Sequence, residues 1–116
     1  MSKQKQKGTA YETAVVRYLQ DNGFPHAERS PLYGSGDRGD ITGCPGIVWE
    51  CKNHKSHDFA GWLRETEQER INAKADFGVL TVKRAGIGDI GQQYAVITLE
   101  QMCRLLIMAG YGKEQE

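Results

Sequence analysis

The sequence has few of the residues that define several common classes of protein. Its three cysteines, Cys44, Cys51 and Cys103, are odd in number and include no C-x-x-C pair. This pattern argues against a disulfide framework and against a zinc site. No apolar run approaches the roughly 18 residues of a membrane span, and the basic start MSKQKQKG lacks the apolar region of a signal peptide. We therefore expect no membrane association and an intracellular, cytoplasmic protein.

The chain also lacks a net charge, since 15 basic residues balance 15 acidic residues. This balance argues mildly against a protein that coats nucleic acid without specificity. The charges are nevertheless segregated along the chain. Basic residues crowd between Lys52 and His57, whereas acids collect between Glu65 and Glu69 and in the C-terminal tail. The sequence therefore permits a local basic patch beside an acidic site.

Two glycine runs, GSGDRG from Gly34 to Gly39 and GIGDIG from Gly86 to Gly91, match the G-x-G-x-x-G spacing of dinucleotide sites. Such a site requires the motif to follow a strand and to open a helix. The run DITGCPG after Gly39 cannot start a helix, and the run QQYAVIT after Gly91 is typical of a strand. We therefore expect no dinucleotide ligand.

The hydrophobic pattern predicts a single α/β domain, residues 1–116, in the order helix, three short strands, helix, strand, strand, helix. Tyr11, Val15 and Leu19 recur at helical spacing, and Thr9 with Glu12 fits a capping box at the start of this helix. Residues 1–7 are then a flexible basic arm, and residues 111–116 a frayed tail.

Polar residues predict where the other two helices begin. Asp58 is a plausible cap for a helix that extends to about Lys74, and Thr98 with Gln101 forms a capping box for the last helix. Glu65, Glu67 and Glu69 are interpreted as a solvated face. The predicted inner positions are Trp62, Leu63, Thr66 and Ile71 in the second helix, and Met102, Leu105, Leu106 and Ala109 in the last.

The run IVWECK, residues 47–52, carries two charges on one face of an otherwise hydrophobic strand. Strand alternation directs Val48, Glu50 and Lys52 to the same side. A hairpin centred near Pro45 sets Asp40 opposite Glu50, with Cβ atoms roughly 4.5–5.5 Å apart. Like charges in this position are unfavourable unless something cationic lies between them.

Two interpretations of this strand stay open. Lys52 can simply neutralise Asp40 and Glu50 on a solvated sheet face. Alternatively, the carboxylates hold Mg²⁺ or Mn²⁺, and the lysine positions a water beside a scissile phosphate. Under the second interpretation, the glycines at 34, 36 and 39 let the loop turn tightly and deliver Asp40 to the site. Asp37 is then a turn former or a ligand through water.

An acid in the first helix, G-D at a strand start and E-C-K on the next strand resemble the PD-(D/E)XK nuclease superfamily. Within it, the chain is most similar to the small Holliday junction resolvases of archaea and bacteriophages, from Gly8 to about Leu106. The family's usual proline before the first acid is here Gly39. The resemblance implies a restriction-endonuclease-like αβββαβ core, a small mixed sheet flanked by helices.

The same resemblance implies a Mg²⁺-dependent endodeoxyribonuclease, with Mn²⁺ as a substitute, that cuts branched or four-way-junction DNA as a homodimer. A bacteriophage-encoded enzyme of this kind acts in the host cell. The metal ligands implied are Asp40, Glu50, the backbone carbonyl of Cys51 and, through water, Glu12. The catalytic residues implied are Glu12, Asp40, Glu50 and Lys52.

Basic residues outside this motif are candidates for contacts with DNA. A solvated strand end explains Lys83 as well as a phosphate contact does. The candidates are Arg29, Arg38, Lys55 and Lys83.

Two alternative functions remain open at this point. One is a sequence-specific or nicking PD-(D/E)XK endonuclease, but 116 residues leave no room for an additional recognition domain. The other is a non-catalytic nucleic-acid-binding dimer module on the same fold. Such a module needs no paired acids, so the presence of Asp40, Glu50 and Lys52 disfavours it.

Overall fold

The computed structural model describes residues 2–31 and 38–114, and this part of the chain forms three α-helices around one mixed β-sheet. It confirms the predicted α/β class and the predicted element order. No helix within the described ranges combines the length and the apolar character of a membrane span. The elements are α1 (Lys3–Asp21), β1 (Glu28–Arg29), β2 (Ile41–Thr42), β3 (Ile47–Lys52), α2 (Phe59–Ala73), β4 (Phe77–Val82), a 3₁₀ helix (Ile90–Gln92), β5 (Tyr94–Val96) and α3 (Leu99–Met108).

The five strands lie in sequential order, β1-β2-β3-β4-β5. Strands β3 and β4 are parallel and are joined by α2, whereas every other neighbouring pair is antiparallel. The carboxyl ends of β3 and β4 and the start of β5 therefore meet at one edge of the sheet. Loops at such an edge commonly form ligand sites in α/β proteins.

Helix α1 begins at Lys3, so the predicted capping box of Thr9 and Glu12 and the predicted flexible arm are wrong. The hydroxyl of Ser2 accepts a hydrogen bond from the backbone N–H of Lys5 at 3.1 Å and caps the helix. Lysine and glutamine favour helix, so these polar turns need no apolar pattern to form. At the other end, residues 111–114 follow α3 without regular structure, and residues 115 and 116 lie outside the described range.

The apolar side of α1 packs on one face of the sheet and forms the main hydrophobic core. The hydroxyl of Tyr11 pairs with that of Thr81 at 2.6 Å, so this buried polar atom is satisfied. Trp49 and Cys51 of β3 pack against the same core. Its buried members are Tyr11, Val15, Val16, Leu19, Ala27, Ile41 and Cys44.

Helix α2 covers the opposite face and begins as predicted, with the Asp58 carboxylate accepting from the N–H of Gly61 at 2.9 Å. Thr66 is buried as predicted, but Ile71 is exposed and Glu69 is buried in its place. The helix therefore presents a mixed surface, part polar and part apolar, to Val48 and Glu50 of β3.

Helix α3 begins at its predicted cap, since the hydroxyl of Thr98 accepts from the N–H of Gln101 at 3.2 Å. The side chain of Gln101 is buried and accepts from the N–H of Gly78 at 2.7 Å. The predicted packing is wrong, because an apolar stripe identifies one side of a helix without identifying what covers it. Exposed instead are Met102, Leu105, Leu106 and Ala109.

Candidate active site

A pocket of about 290 Å³ opens where the first turns of α1 meet the end of the β2–β3 hairpin. The side-chain amide of Gln4 donates to the carbonyl of Asn53 at 3.1 Å and joins the two walls. The segment that the sequence predicted to be a flexible arm is thus one wall of the pocket. The lining residues are Ser2, Gln4, Lys5, Gly8 and Glu12 from α1, with Asp40, Cys51, Lys52, Asn53 and His54 opposite.

Gly39 allows Asp40 to reach the pocket. Its φ of 93° lies in the left-handed region, and a Cβ there would lie 2.7 Å from the Val48 side chain and 2.8 Å from the Trp49 carbonyl. Close approach of the two strands therefore requires glycine at this position. The other glycines of the predicted loop, at 34 and 36, and Asp37 lie outside the described residues.

The predicted opposition of Asp40 and Glu50 is confirmed by the strand register. Ile41 pairs with Trp49, and the N–H of Asp40 donates to the Trp49 carbonyl at 2.8 Å. The Asp40 carboxylate accepts from the N–H of Cys51 at 2.8 Å. Because the N–H and the carbonyl of one strand residue point to the same side, the Cys51 carbonyl is directed toward Asp40 as well.

Glu50 is a buried acid, only 4% exposed, on the sheet face that α2 covers. Burial, followed by contacts with the carboxyl groups of Asp40, Glu69 and Glu65, raises the pKa of Glu50 far above its usual range. The group therefore holds a proton at neutral pH unless a cation joins the cluster.

Two acids of α2 complete a cluster that the sequence did not predict. One carboxylate oxygen from each of Glu50, Glu65 and Glu69 lies within 4.8 Å of the others. Glu69 is only 1% exposed, so its assignment to a solvated face is wrong. The helical spacing carried a signal for it, because Glu69 falls three residues after Thr66 and seven after Trp62, both predicted inner positions.

Lys52 lies at the edge of this carboxyl cluster and also lines the pocket. Its ammonium is 3.3 Å from Glu65 Oε2 and 6.0 Å from the ring centre of Trp62. Burial acts to lower the pKa of Lys52, but the nearby carboxylates of Glu50 and Glu65 outweigh it and raise the pKa overall. A fixed positive charge therefore stands between the acids and the open pocket.

Glu12 projects from the middle of α1 into the same pocket. Arg29 at the end of β1 donates to Glu12 Oε1 at 3.2 Å. Burial, then the charge of Asp40, raises the pKa of Glu12, and Arg29 opposes this shift. The structure thus brings Glu12 close to Asp40, and Arg29 serves as its ion-pair partner.

The remaining predicted DNA contacts differ in their surroundings. Arg38 and Lys55 are exposed. The ammonium of Lys83 donates to the backbone carbonyls of Arg84 at 2.7 Å and Ile87 at 2.6 Å, which closes its own loop. Lys83 directly follows β4 and is half-buried, and two of the three donors of its ammonium are engaged within its own loop.

Comparisons of the chain with protein-family models, with curated proteins and with solved structures each find no match. The chemistry of the site is therefore argued from the geometry of its own residues.

Proposed function

We propose that this chain is a Mg²⁺-dependent endodeoxyribonuclease of the PD-(D/E)XK type that hydrolyses phosphodiester bonds of branched DNA, four-way junctions in particular. One observation carries the proposal. Asp40, Glu50 and Lys52 lie together at the end of the β2–β3 hairpin, where the register sets the acids side by side and Lys52 lines the open pocket. A solvated neutralising lysine needs neither a pocket nor a buried acid.

The donor set fits a hard divalent cation. Asp40, Glu50 and the Cys51 carbonyl offer oxygen ligands, which Mg²⁺ and Mn²⁺ prefer, and Glu12 reaches the same pocket. Glu50 is buried among Asp40, Glu65 and Glu69, and an added cation would relieve the repulsion among their ionised forms. When bound, the metal would stabilise the negative charge that develops on the phosphate.

The protein's own groups then have distinct tasks. Asp40 is fixed by its hydrogen bond from the N–H of Cys51 and would hold the cation at the hairpin end. Lys52, a protonated ammonium beside the pocket, orients the attacking water or donates to a phosphate oxygen. The water oxygen forms a new bond to phosphorus as the bond from phosphorus to one ester oxygen breaks. The attacking water loses a proton and the leaving oxygen gains one, so the products are a phosphate end and a hydroxyl end. Glu65, which pairs with Lys52, limits the positions that the ammonium can occupy.

A homodimer acting in the cytoplasm belongs to the same proposal. Two symmetric cuts in a four-way junction require two sites related by a two-fold axis. Support comes from α3, whose apolar side chains Leu99, Leu105, Leu106 and Met108 are exposed at 79%, 41%, 43% and 70%. An exposed apolar helix face of this kind is typical of a protein–protein contact.

The test compares cleavage of a four-way junction with cleavage of a linear duplex of the same sequence, in Mg²⁺ and in EDTA. We expect Mg²⁺-dependent cuts in the junction and none in the duplex. Sequence-dependent cuts in both substrates would indicate a site-specific endonuclease. Binding without cuts, unchanged in Asp40→Asn, would indicate a non-catalytic module.

A further inference from the structure

Five ring-bearing side chains form a cluster beside the pocket, here called the aromatic platform: His54, His57, Phe59, Trp62 and Tyr94. The centre of the His57 ring lies 5.4 Å from Phe59, 6.1 Å from Trp62 and 6.2 Å from Tyr94. His54 lies 5.2 Å from Trp62, and Phe59 meets Tyr94 edge to face at 5.9 Å. These separations are those of interacting rings.

The platform lies on the surface of the molecule. Phe59 is 39% exposed and Tyr94 is 43% exposed, whereas Tyr11 of the main core is only 3% exposed. Both histidines are also exposed. Mutual packing joins the start of α2 to the start of β5, yet it leaves a substantial part of these residues exposed. Their exposed parts are available to a flat ligand.

The platform is continuous with the candidate active site. His54 belongs to the platform and also lines the pocket, next to Lys52 and Asn53. The residues of the platform follow the carboxyl end of β3 or begin β5, so they share the sheet edge at which β3 and β4 end. A strand whose phosphate enters the pocket can therefore lay its neighbouring bases on the rings.

Positive charges flank the rings. The ammonium of Lys52 is 6.0 Å from the Trp62 centroid, and the guanidinium of Arg84 is 5.3 Å from the Tyr94 centroid. Arg84 is held in place because its guanidinium donates to the carbonyl of Gln92 at 3.1 Å. The nearby carboxylate of Asp58 is engaged at the start of α2. The surface thus complements an anionic ligand with flat rings.

From this juxtaposition we infer that the aromatic platform stacks unpaired nucleobases of the DNA strand whose phosphate occupies the pocket. The inference rests on the proposed function and adds to its branched substrates those that carry unpaired bases beside the cut, such as a single-stranded flap. Bases inside a continuous duplex are covered on both faces by their neighbours, so they offer no ring face to the platform. Base–aromatic stacking tolerates any sequence, because every base has a π-face.

The test uses a duplex with a single-stranded flap that carries 2-aminopurine next to the branch, in EDTA so that no cleavage occurs. Stacking quenches this base, so we expect the wild-type protein to lower its fluorescence. We also expect it to bind the flap about ten-fold more tightly than a linear duplex. The double variant Phe59→Leu, Tyr94→Leu keeps apolar volume but removes two rings, and should lose most of the quenching and about ten-fold in affinity.

Two further variants make the result specific. Tyr94→Phe keeps the ring and should quench like the wild type, even if the leucine double variant fails to fold. Tyr111→Leu removes a tyrosine that is 68% exposed outside the platform and should change nothing. Undiminished quenching by a folded leucine double variant would overturn the inference. Normal DNA binding with altered self-association in that variant would also overturn it, by identifying a protein contact.

Cleavage of the same flap in Mg²⁺ separates the two proposals. Platform-dependent quenching without cleavage would overturn the endonuclease proposal and leave base stacking in place. Mg²⁺-dependent cleavage with no effect of the platform variants on quenching or affinity would overturn base stacking alone.

Discussion

The two faces of the sheet differ in what lies between sheet and helix. Under α1 the contact is apolar, with Val15, Val16 and Leu19 buried against Ile41. Its buried hydroxyl, on Tyr11, is paired with Thr81. Under α2 the buried groups include two acids, Glu50 and Glu69. Both faces are well covered, but among the described residues the fully buried acids, Glu50 and Glu69, both lie under α2.

This difference indicates that the two faces of the sheet contribute differently to the stability of the fold. Burial of apolar area stabilises the fold, so the α1 face contributes mainly to stability. Burial of carboxyl groups destabilises the fold unless they are protonated or paired with cations. The α2 face is therefore less stable than an apolar equivalent would be, as is typical of residues retained for function. Substitutions under α1 should therefore change mainly stability, whereas substitutions of the acids beside α2 should change activity and the dependence of stability on pH and metal, as the following predictions specify.

The largest expected effect is on activity and follows loss of a carboxylate from the site. Asp40→Asn and Glu50→Gln should each reduce Mg²⁺-dependent junction cleavage by at least about a hundredfold, because each removes a proposed metal ligand. Junction binding in EDTA should strengthen in Asp40→Asn, which loses a negative charge near the DNA backbone, and should persist in Glu50→Gln, whose acid is already protonated without metal. Single-turnover cleavage and a binding assay in EDTA measure the two quantities separately.

Glu100→Gln is the matched control for this pair of variants. Its carboxylate is exposed on α3 and pairs with Arg104. It should cleave at the wild-type rate. Wild-type cleavage by Asp40→Asn or Glu50→Gln would show that the metal assignment is wrong.

Lys52 should distinguish a catalytic group from a counter-charge. Lys52→Ala should lose most of the cleavage rate with little loss of affinity, because the ammonium acts chiefly in the transition state. Lys52→Arg should also lose most of the cleavage rate, since the planar, forked guanidinium group of arginine cannot occupy the position of a compact ammonium. Single-turnover cleavage of saturating four-way junction measures both. Near-normal cleavage by the arginine variant would leave only the neutralising role.

On the α1 face, the expected effect is a loss of stability. Leu19→Ala should reduce the free energy of unfolding by about 2–5 kcal/mol, because the buried side chain leaves a cavity. Ile71→Ala removes as many carbon atoms from a position on α2 that is 57% exposed and should change it by about 0.5 kcal/mol or less. Urea unfolding of both variants provides the measurement. Equal losses would show that the apolar core under α1 has been misidentified.

Raising the pH should weaken the α2 face. The folded-state pKa of Glu50 lies above its ordinary value of 4.5. Its contribution to stability is therefore fully present below pH 4.5 and is lost as the pH rises through the folded-state pKa. In EDTA, the wild type should lose at least about 10 °C in Tm between pH 5 and pH 8.5, relative to Glu50→Gln.

Added Mg²⁺ or Mn²⁺ should offset this loss, because the cation binds the ionised acids and stabilises the folded state by mass action. The gain should disappear in the double variant Asp40→Asn, Glu50→Gln. Equal metal-dependent gains in the wild type and in this variant would indicate that the metal binds elsewhere.

The sequence predicted the α1 face and the hairpin of the site better than it predicted the α2 face. Local signals determine a strand register, so the turn around Pro45 correctly set Asp40 beside Glu50. Packing between distant elements leaves weaker signals. Glu69 is polar, yet it is buried beside Glu50 of β3. That contact depends on how α2 crosses the sheet.

The polar N-terminal turns of helix α1 show the same limit of prediction from sequence. The turns from Lys3 onward carry no apolar pattern, so periodicity did not identify them as helix. The exposed apolar side of α3 illustrates the converse, because periodicity identified an apolar stripe that residues 2–31 and 38–114 leave exposed. The hydrophobic pattern of the sequence therefore located the helices and strands. Which surface packs against each helix face depended on tertiary contacts that the pattern does not encode.

The smallest expected effect concerns the hydroxyl at the centre of the α1 face. Tyr11→Phe removes the hydrogen bond to Thr81 and should reduce the free energy of unfolding by about 1 kcal/mol at pH 8. Tyr111→Phe, at an exposed position, should have no measurable effect.

Burial raises the pKa of Tyr11 from 10.0 to about 12. Its contribution to stability is therefore complete below pH 10 and declines as the pH rises through about 12. Tyr11→Phe cannot ionise, so its deficit relative to the wild type should shrink above pH 10. Urea unfolding at pH 8 and pH 10.5 measures this change. A deficit that grew with pH would contradict the assignment. If the deficit shrinks as expected, the pH dependence of stability near neutrality belongs to the acids under α2. The dependence at alkaline pH then belongs to Tyr11 under α1.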